Sequence, residues 1–464
     1  MDKVPAGVTL VVGLGISGRA ICRHLDRLGC PFMVADTRAN PPDLASFRQE
    51  FPDVTLRCGA LDSLNMSEAR DVVVSPGVSL QQPALAALQN TPAGPPVIGE
   101  IALFLRACQA PIAAITGSNA KSTVTTLLGE MAAEAGKNVA VGGNLGTPAL
   151  DLLHDMPDAE LFILELSSFQ LESLSELGAE AAVFLNLSED HLDRHGDMAG
   201  YRRAKQRVFM GARYALVNGE DAMTWPDDGD VTVVERFTSQ PPGPGEWGVA
   251  NLAAEDDGGD SDAAWLMYGG RPLMPVSAVR APGRHNHVNA LAALAVGNHF
   301  GFPLQAMRTV LERFSGLPHR CELVAEQQGV RWINDSKGTN VGATLAAIAG
   351  IGPTLTGRLV LLAGGVGKGA DFSPLVEPLA AYAREVIVFG RDAVQLQRVL
   401  EPHVMVTKVV DLEAALRRAL NAAQAGDCVL LSPACASLDQ FSNYQARGDA
   451  FRDGVTQLYK EVAL

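Results

Sequence analysis

The sequence lacks any run of about 20 apolar residues, which is the length that a helix needs to cross a bilayer. Its first residues, MDKVPAGVTLVVGLG, contain only a short apolar stretch, whereas a secretory signal peptide has a longer one and a cleavage site. The seven cysteines are odd in number and scattered without metal-type spacing, so we expect no disulfide framework in so long a chain. These absences together predict a soluble, cytoplasmic protein.

Positive charge is also scarce. The chain has 37 lysines and arginines against 52 aspartates and glutamates, which gives a formal net charge of -15. This balance argues against general binding to nucleic acids or membrane surfaces, which needs a positive field, although local loops can still bind anions. Hydrophobic residues make up 47% of the 464 residues, so the chain can bury ordinary cores, and its length predicts roughly three domains.

Short apolar runs alternate with amphipathic helical patterns along almost the whole chain. This alternation predicts an α/β protein with parallel sheets that carry helices on both faces. The clearest helical patterns lie at Lys121–Glu134 and Asp411–Ala423. The apolar runs predict strands at Thr9–Val12, Phe32–Ala35, Val72–Val74, Ile112–Thr116, Phe162–Leu166, Val183–Asn186, Arg331–Asn334, Leu359–Ala363, Val386–Phe389 and Cys428–Leu431.

Two breaks in this pattern predict domain boundaries. The stretch TPAGPP at 91–96 and the tripeptide Gly-Leu-Pro at 316–318 divide the chain into three domains, 1–99, 100–316 and 317–464. Residues 227–262 are rich in Asp, Gly and Pro, which predicts loops and short strands, with a disordered insertion as the alternative at 255–262. The first and last thirds each have the pattern of an independent α/β unit.

The first glycine-rich loop predicts a diphosphate site. Gly13, Gly15 and Gly18 follow a predicted strand and open a helix, and Asp36 ends the next strand. Small residues at such a turn let backbone N–H groups approach a diphosphate at a helix N-terminus. The loop fits a dinucleotide of an oxidoreductase or a UDP-sugar, and a purely structural turn is the third alternative.

The second glycine-rich loop is similar to a P-loop. Residues Gly117–Thr123 (GSNAKST) lie between an apolar strand and a long helix, where Lys121 can reach β/γ-phosphate oxygens and Ser122 can bind Mg²⁺. The strict pattern fails at Ala120, which stands where glycine is expected before the lysine. A positive φ there would cost alanine about 1 kcal/mol, and we expect instead a loop conformation that is compatible with alanine.

Acidic residues and histidines follow the next two strands. Glu165 ends an apolar run, where a carboxylate downstream of a P-loop commonly holds Mg²⁺; a solvated strand end is the alternative. The loop 186–196 that follows suggests metal or phosphate chemistry, and the alternative is a polar surface loop. Its ligand-type side chains are Glu189, Asp190, His191, Asp193 and His195.

Ten segments in this order resemble the Mur ligases. They are GSNAKST, GGNLG (142–146), LELSSFQL (164–171), EDHLDRH (189–195), YRRAK (201–205), GRHNHVNA (283–290), LPHR (317–320), NDSKGTN (334–340), GGVGKGADF (364–372) and SPACASLDQF (432–441). The resemblance covers nearly the whole chain. Any one segment is weak evidence, but ten in order are hard to explain by coincidence.

The resemblance implies a fold and an activity. The fold would be α/β with three domains: a Rossmann-like domain for the UDP substrate, a central P-loop ATPase-type domain, and a Rossmann-like C-terminal domain that binds the amino acid. The activity would be ATP-dependent addition of D-glutamate to UDP-N-acetylmuramoyl-L-alanine through an acyl phosphate in peptidoglycan precursor synthesis. ATP, two Mg²⁺ ions and a monomeric chain are implied as well.

The resemblance also assigns site residues. For the UDP substrate it implies Gly15, Ile16, Ser17, Asp36, Thr37, Arg38 and Asn144. For ATP it implies Gly117, Ser118, Asn119, Ala120, Lys121, Ser122, Thr123, Asn286, Asn289, Arg320 and Asp335. For D-glutamate it implies Thr339, Lys368, Ser437, Leu438 and Phe441. The metal ligands would be Ser122, Glu165, His191 and Lys205, and the catalytic residues Lys121, His191, Lys205 and Lys337.

Lys205 differs from the other assignments, because the family carries a CO₂-derived carbamate on this lysine. A carbamate supplies anionic oxygens next to two Mg²⁺ ions, where a cation would be unfavourable. Residue pattern alone favours an exposed helix lysine instead. The family's usual residues are glycine at Ala120 and alanine at Gly338, and we expect the second difference to be harmless.

Three other functions compete with this hypothesis. One is a sister Mur ligase or an enzyme similar to folylpolyglutamate synthase, against which the Gly13–Gly18 loop and the segment SLDQF argue. A nicotinamide-dependent oxidoreductase would explain the first loop but not the second loop, Glu165 or His191. A catalytically dead UDP-sugar-binding protein has only Ala120 in its favour.

Overall fold

The computed structural model describes residues 2–42, 44–227, 229, 231–252, 264–281 and 283–462. Within these residues the backbone forms three large sheets, of five, nine and six strands, and one two-stranded pair. The disordered insertion considered for 255–262 lies outside the described residues. No helix among the described residues is long and apolar enough to cross a membrane.

The first sheet is wholly parallel and has the strand order β4-β3-β2-β6-β7, with β1 and β5 paired separately. Helices connect its strands, as parallel pairing requires. The elements are β1 (Asp2–Lys3), β2 (Thr9–Val12), α1 (Ile16–Arg27), β3 (Phe32–Asp36), α2 (Leu44–Glu50), β4 (Leu56–Cys58), β5 (Leu64–Asn65), β6 (Val72–Val74), α3 (Pro83–Gln89) and β7 (Val97–Gly99).

The second sheet has the order β16-β15-β14-β13-β12-β11-β8-β10-β9, antiparallel only from β14 to β16. The elements are α4 (Glu100–Ala107), β8 (Ile112–Thr116), α5 (Lys121–Glu134), β9 (Val139–Gly143), α6 (Ala149–Asp155), β10 (Leu161–Glu165), α7 (Ser168–Leu171), β11 (Ala181–Phe184), α8 (Leu192–His195), α9 (Met198–Gln206), β12 (Tyr214–Asn218), β13 (Val233–Phe237), β14 (Glu246–Asn251), β15 (Ala264–Tyr268), β16 (Arg271–Pro275), α10 (Arg284–His299) and α11 (Leu304–Arg313).

The third sheet has the order β17-β18-β22-β19-β20-β21, parallel except for the edge strand β17. The elements are β17 (Glu322–Gln327), β18 (Val330–Asn334), α12 (Val341–Ile351), β19 (Leu359–Gly364), α13 (Val376–Tyr382), β20 (Ala383–Phe389), α14 (Ala393–Leu400), β21 (Val406–Lys408), α15 (Leu412–Ala422), β22 (Cys428–Leu431) and α16 (Tyr444–Val462).

The central strands are buried on both faces, which explains their unbroken apolar sequences. Every residue of β2, β8, β10, β19 and β22 is buried. Helices cover both sides of each parallel sheet, so a strand has no solvated face on which polar residues could alternate. The prediction of an α/β protein with parallel sheets is therefore confirmed, whereas the boundaries at 99 and 316 stay a prediction.

Each of the three large sheets forms one unit together with the helices of its part of the chain, and the units are numbered in chain order. Polar contacts join the second and third units. Arg320 Nη2 donates to Ser122 Oγ at 2.9 Å, and the Lys368 ammonium pairs with Asp190 at 2.8 Å. Asn340, at the N-cap of α12, lies between Asn119 and Asp190 and bonds to both. These contacts bring the ends of β8 and β11 close to the ends of β18 and β19.

Gly364 ends β19 with a φ of +135°, and a Cβ there would lie 1.9 Å from the carbonyl oxygen of Phe389 on the neighbouring strand. We expect Gly364→Ala to lower the thermal unfolding midpoint of the chain strongly, because the adjacent backbone must move. Gly369→Ala, in the same loop, is the control: its φ is +77° with open space around it, so it should cost only about 1 kcal/mol. Equal losses in the two variants would contradict this account.

Candidate active site

The candidate site residues lie where parallel strands end. Lys121 begins the helix after β8, Glu165 is the last residue of β10, and His191 lies in the loop after β11. The loops after β18 and β19 carry Lys337 and Lys368. The carboxyl ends of parallel strands meet at one edge of a sheet, where α/β proteins bind ligands. The contacts between the second and third units bring these two edges together.

The first glycine loop lines a cavity of about 440 Å³. Asp36 is buried there and accepts hydrogen bonds from the backbone N–H of Leu14 at 2.7 Å and from the Arg38 guanidinium at 2.8 and 2.7 Å. Burial raises the pKa of Asp36, but these bonds outweigh it, so the pKa lies below its usual value. The cavity is lined by all seven residues predicted for the UDP substrate: Gly15, Ile16, Ser17, Asp36, Thr37, Arg38 and Asn144.

The second glycine loop wraps around the Lys121 ammonium. Lys121 Nζ donates to the carbonyl oxygens of Gly117 at 2.8 Å and Ser118 at 3.0 Å, and burial lowers the pKa of Lys121. Ala120 has φ 64° and ψ -7°, a left-handed conformation. The expectation that this loop suits alanine is therefore wrong: the turn into α5 has the positive φ that favours glycine.

Glu165 is the central carboxylate of the site. It is 2% exposed, its Oε1 accepts from Asn144 Nδ2 at 2.6 Å, and its Oε2 is buried with no hydrogen-bond partner among the described residues. Burial raises its pKa, but Lys121 and the bonds from Ser122 and Asn144 lower it below the usual value. An ionised, buried carboxylate oxygen without a donor fits a cation ligand, and the alternative of a solvated strand end is wrong.

His191 and Asp190 face the same crevice from the loop after β11. Burial lowers the pKa of His191 to about 4, which keeps its imidazole neutral and able to ligate a metal. Asp190 accepts from Lys368 and Asn340. The other three polar residues of the loop differ: Glu189 and Asp193 are exposed, and His195 stacks on Tyr201 with ring centroids 5.3 Å apart.

Lys205 is 1% exposed, so the alternative of an exposed helix lysine is wrong. Its Nζ donates to the Gly117 carbonyl at 2.8 Å and lies 4.8 Å from the ring centre of Tyr201. Burial, together with the nearby charge of Lys121, lowers the pKa of Lys205 well below its usual value. Among the described residues, the hydrogen-bond acceptors of this amine are the Gly117 carbonyl and the Thr116 hydroxyl, and neither supplies the full negative charge that a buried ammonium needs.

A cavity of about 280 Å³ between the second and third units is lined by seven of the eleven residues predicted for ATP: Asn119, Ala120, Thr123, Asn286, Asn289, Arg320 and Asp335. Of the other four, Ser118 and Lys121 line the neighbouring crevice that holds Glu165, whereas Gly117 and Ser122 line neither space. Asn289 donates to Asn286 at 3.1 Å on one wall. On the other wall, burial raises the pKa of Asp335 to about 6 and lowers that of Lys337 to about 7. The Lys337 ammonium lies 3.9 Å from the ring centre of Tyr444.

The residues predicted for D-glutamate are only partly brought together. Thr339 and Lys368 line a small space beside Asp190 and His191. Ser437, Leu438 and Phe441 are not among the residues that line it. Ser437 is buried, Leu438 is 70% exposed, and Phe441 packs against the core of the third unit.

Some residues of the site were not predicted from the sequence. Tyr201 lies four residues before Lys205 on α9, and the i, i+4 spacing within YRRAK was a usable signal. Asn340 and Arg447 had no local signal, because their contacts come from the packing of distant loops. Arg447 is fully buried and donates to Ser336, Gly364 and Cys435, under three loops of the third sheet.

A metal at this site would have few protein ligands. No group of three or more His, Cys, Asp or Glu side chains is arranged for a metal ion within the described part of the chain. Mg²⁺ usually keeps several waters and binds one or two carboxylates together with substrate phosphates. Glu165, Ser122 and His191 therefore fit Mg²⁺ as a partner of a phosphorylated ligand rather than as an ion in an all-protein cage.

Comparison with known proteins gives three adjoining family matches. The N-terminal domain of MurD-like Mur ligases matches residues 7–99, the Mur ligase middle domain matches 115–297, and the glutamate ligase domain of Mur ligases matches 319–435. Together they account for most of the chain.

Two relatives are similar over nearly their whole length, and both are named UDP-N-acetylmuramoylalanine--D-glutamate ligase. That of Chromohalobacter salexigens is 64% identical over 97% of this chain and 98% of its own. That of Pseudomonas aeruginosa is 52% identical over the same shares. The solved structure of the UDP-N-acetylmuramate-alanine ligase of Thermotoga maritima has a TM-score of 0.60 at 16% identity, over 99% of this chain and 100% of its own, and supports the fold.

The left-handed conformation of Ala120 predicts how substitutions there change the free energy of unfolding. Ala120→Gly removes the Cβ strain and should raise the free energy of unfolding of this unit by up to about 1 kcal/mol, measured by urea unfolding. Ala133→Gly, at an exposed position in the last turn of α5, is the control and should lower it, by less than the about 1 kcal/mol that glycine costs in a helix interior. Destabilisation by both substitutions would show that position 120 is not strained.

Proposed function

The chain belongs to the Mur ligase family, and we propose that it adds D-glutamate to UDP-N-acetylmuramoyl-L-alanine, with hydrolysis of ATP to ADP and phosphate. This is the activity that the names of its relatives at 64% and 52% identity state. The product would be a peptidoglycan precursor. A cytoplasmic, monomeric protein is part of the proposal.

One observation carries the proposal: residues of all three units line a single crevice. It takes Gly77 from the first unit, Lys121, Glu165 and Lys205 from the second, and Lys337 from the third. A ligase must bring a UDP-linked acceptor, ATP and an amino acid to one point. The crevice adjoins the UDP cavity through Gly77 and Asn144, which line both.

The chemistry follows from the charges in this crevice. A carboxylate is a poor acylating agent, and transfer of the γ-phosphoryl group of ATP to the L-alanyl carboxylate makes it reactive. The cations of Lys121, Arg320 and Lys337 surround the place of transfer and stabilise the charge on the phosphoryl oxygens. The amine of D-glutamate then attacks the acyl phosphate, and phosphate leaves from the tetrahedral intermediate.

The third unit supplies the amino-acid site in this proposal. Lys368 provides a cation for a D-glutamate carboxylate, and Thr339 lies beside it. In the structure Lys368 is paired with Asp190, so a substrate carboxylate would share or replace an existing partner. Closure of the units around bound substrates would keep water from the acyl phosphate.

Mg²⁺ and a carbamate complete the proposed site. Ser122 and Glu165 would hold one Mg²⁺, and His191 with a carbamate on Lys205 would hold a second. When bound, these ions neutralise phosphate charge. Only a neutral amine reacts with CO₂, and burial favours that form of Lys205 because it lowers the pKa of the amine. The unpartnered Oε2 of Glu165 supports the cation site.

A nicotinamide-dependent oxidoreductase is the second candidate, and it fits less well. It accounts for the diphosphate loop and Asp36 but gives no role to the crevice that holds Lys121, Glu165 and Lys205. A sister ligase of the family would use the same crevice with another amino acid, so the amino acid must be tested directly.

Phosphate release from ATP tests the activity. With UDP-N-acetylmuramoyl-L-alanine present, we expect release only when D-glutamate is added, together with a product heavier by one glutamyl residue. L-glutamate, meso-diaminopimelate and no amino acid are the comparisons. Release with meso-diaminopimelate would assign the chain to a sister activity, and no turnover with any of them would overturn the proposal.

The carbamate has its own test. Removal of CO₂ should lower activity, and added bicarbonate should restore it; ¹³C-bicarbonate should give a carbamate carbon signal in NMR spectra of the native protein but not of Lys205→Arg. Because the reacting amine must be neutral, the signal should disappear as falling pH protonates Lys205. Full activity without CO₂, and no signal, would contradict the carbamate.

A further inference from the structure

Glu100 is a buried carboxyl that the proposed mechanism leaves without a role. It is the first residue of α4 and is 1% exposed. Its Oε1 accepts a long hydrogen bond of 3.4 Å from the backbone N–H of Leu150, and its Oε2 is buried without a hydrogen-bond partner among the described residues. A buried carboxylate oxygen without a donor is unfavourable, so this oxygen needs either a proton or a new partner.

Three helices begin around this carboxyl and pack against one another. α4 begins at Glu100 itself, and α6 directs the first backbone N–H groups of its helix, at Ala149 and Leu150, toward the carboxyl. α1 brings the hydroxyl of Ser17, which interacts with the carboxyl without completing a hydrogen bond to Oε2. Glu100 therefore lies at the junction of the first and second units.

The neighbours of Glu100 form part of the proposed UDP-substrate cavity. Ser17 lines the cavity, and so does Pro148, which directly precedes Ala149. Glu100 is not among the lining residues and lies one layer behind them. A diphosphate at the start of α1 would therefore place negative charge one side chain away from the carboxyl, in a buried region where charges are weakly screened.

We propose that Glu100 is a positioning residue for the UDP substrate, which orients the Ser17 hydroxyl and takes up one proton from solvent when the diphosphate binds. The inference rests on the proposed function, because the diphosphate is that of the UDP substrate. With the proton on Oε2, the carboxyl donates to Ser17 Oγ, and the Ser17 hydroxyl donates to a diphosphate oxygen. Without that proton, the carboxylate accepts a hydrogen bond from the Ser17 hydroxyl. The Ser17 oxygen then presents a lone pair, and no hydrogen, to the diphosphate.

The acidity of the carboxyl supports this exchange near neutral pH. Burial raises the pKa of Glu100 to about 7, against the lowering effect of Ser17 and of the N–H groups of α6. The negative charge of a bound diphosphate would raise the pKa of Glu100 further. Above pH 7, Glu100 is therefore protonated in a larger fraction of the bound protein than of the free protein.

The other titratable groups around Glu100 do not change charge in that range. Asp151 of α6 raises its pKa but is itself paired with Arg23 of α1. β7 contributes no titratable side chain. The pKa values of His24 and His154, on the facing sides of α1 and α6, are lowered by burial, so both are neutral above pH 7. The remaining charged groups of these helices are arginines and aspartates.

The test is calorimetric titration of UDP-N-acetylmuramoyl-L-alanine into the full-length chain at pH 7.5, in two buffers with different enthalpies of ionisation. The wild type should take up a fraction of a proton, and its KM for this substrate should rise up to ~10-fold per pH unit above pH 7. Glu100→Gln, which is neutral and of equal size, should bind without proton uptake, with a flat pH profile and an unchanged KM for ATP. Glu50→Gln is the control, because Glu50 pairs with Arg19 and Arg23 on α1 and should leave proton uptake unchanged.

Equal proton uptake by the wild type and Glu100→Gln would overturn the inference. Since ionised Glu100 is unfavourable when buried, Glu100→Gln should be at least as stable as the wild type above pH 7. Ser17→Ala is the second variant: it removes an interaction that lowers the pKa of Glu100, so its proton uptake should move to higher pH. A wild type that neither binds nor converts this substrate at any pH would instead refute the proposed function.

Discussion

The crevice contains more basic side chains than acidic ones, and much of the structure depends on this imbalance. Lys121, Lys205, Lys337 and Arg320 line it, whereas its acidic residues are Glu165 and Asp190. Asp190 is already paired with Lys368. The cations also oppose one another, since Arg320 and Lys121 both lower the pKa of Lys337 and Lys121 lowers that of Lys205. Anionic phosphates or carboxylates that enter the site would relieve this repulsion.

The imbalance explains how a chain of net charge -15 can be built to bind nucleotides. Net charge governs the field far from the protein, whereas buried side chains act within a few ångströms, where screening is weak. The local field comes from charged side chains at and after the carboxyl ends of the parallel strands, which lie together at one edge of each sheet. Burial lowers the pKa of Lys205, which favours its neutral form and so reduces the repulsion.

The sequence predicts those parts of the fold and site that depend on local order. Strands such as β8 and β19 are unbroken apolar runs because helices cover both faces. Glu165 is the last residue of such a run, and Lys121 follows another after the loop 117–120. Asn340 and Arg447 could not be predicted in this way, because their partners lie on loops far away in the chain. The backbone of Ala120 is a different case: its left-handed φ is set by the turn into α5, which overrides the preference of the residue itself.

The contacts between the second and third units indicate how this arrangement can open. They include Arg320 with Ser122, Asn340 with Asn119, and Lys368 with Asp190, all of which are polar and all of which involve residues that line the site. Polar contacts can exchange for water at little net cost, unlike a continuous apolar interface. The groups that hold the units together are thus the groups that ligands would engage. A ligand that binds in the site would therefore meet side chains that already join the two units, and would replace or share their present contacts.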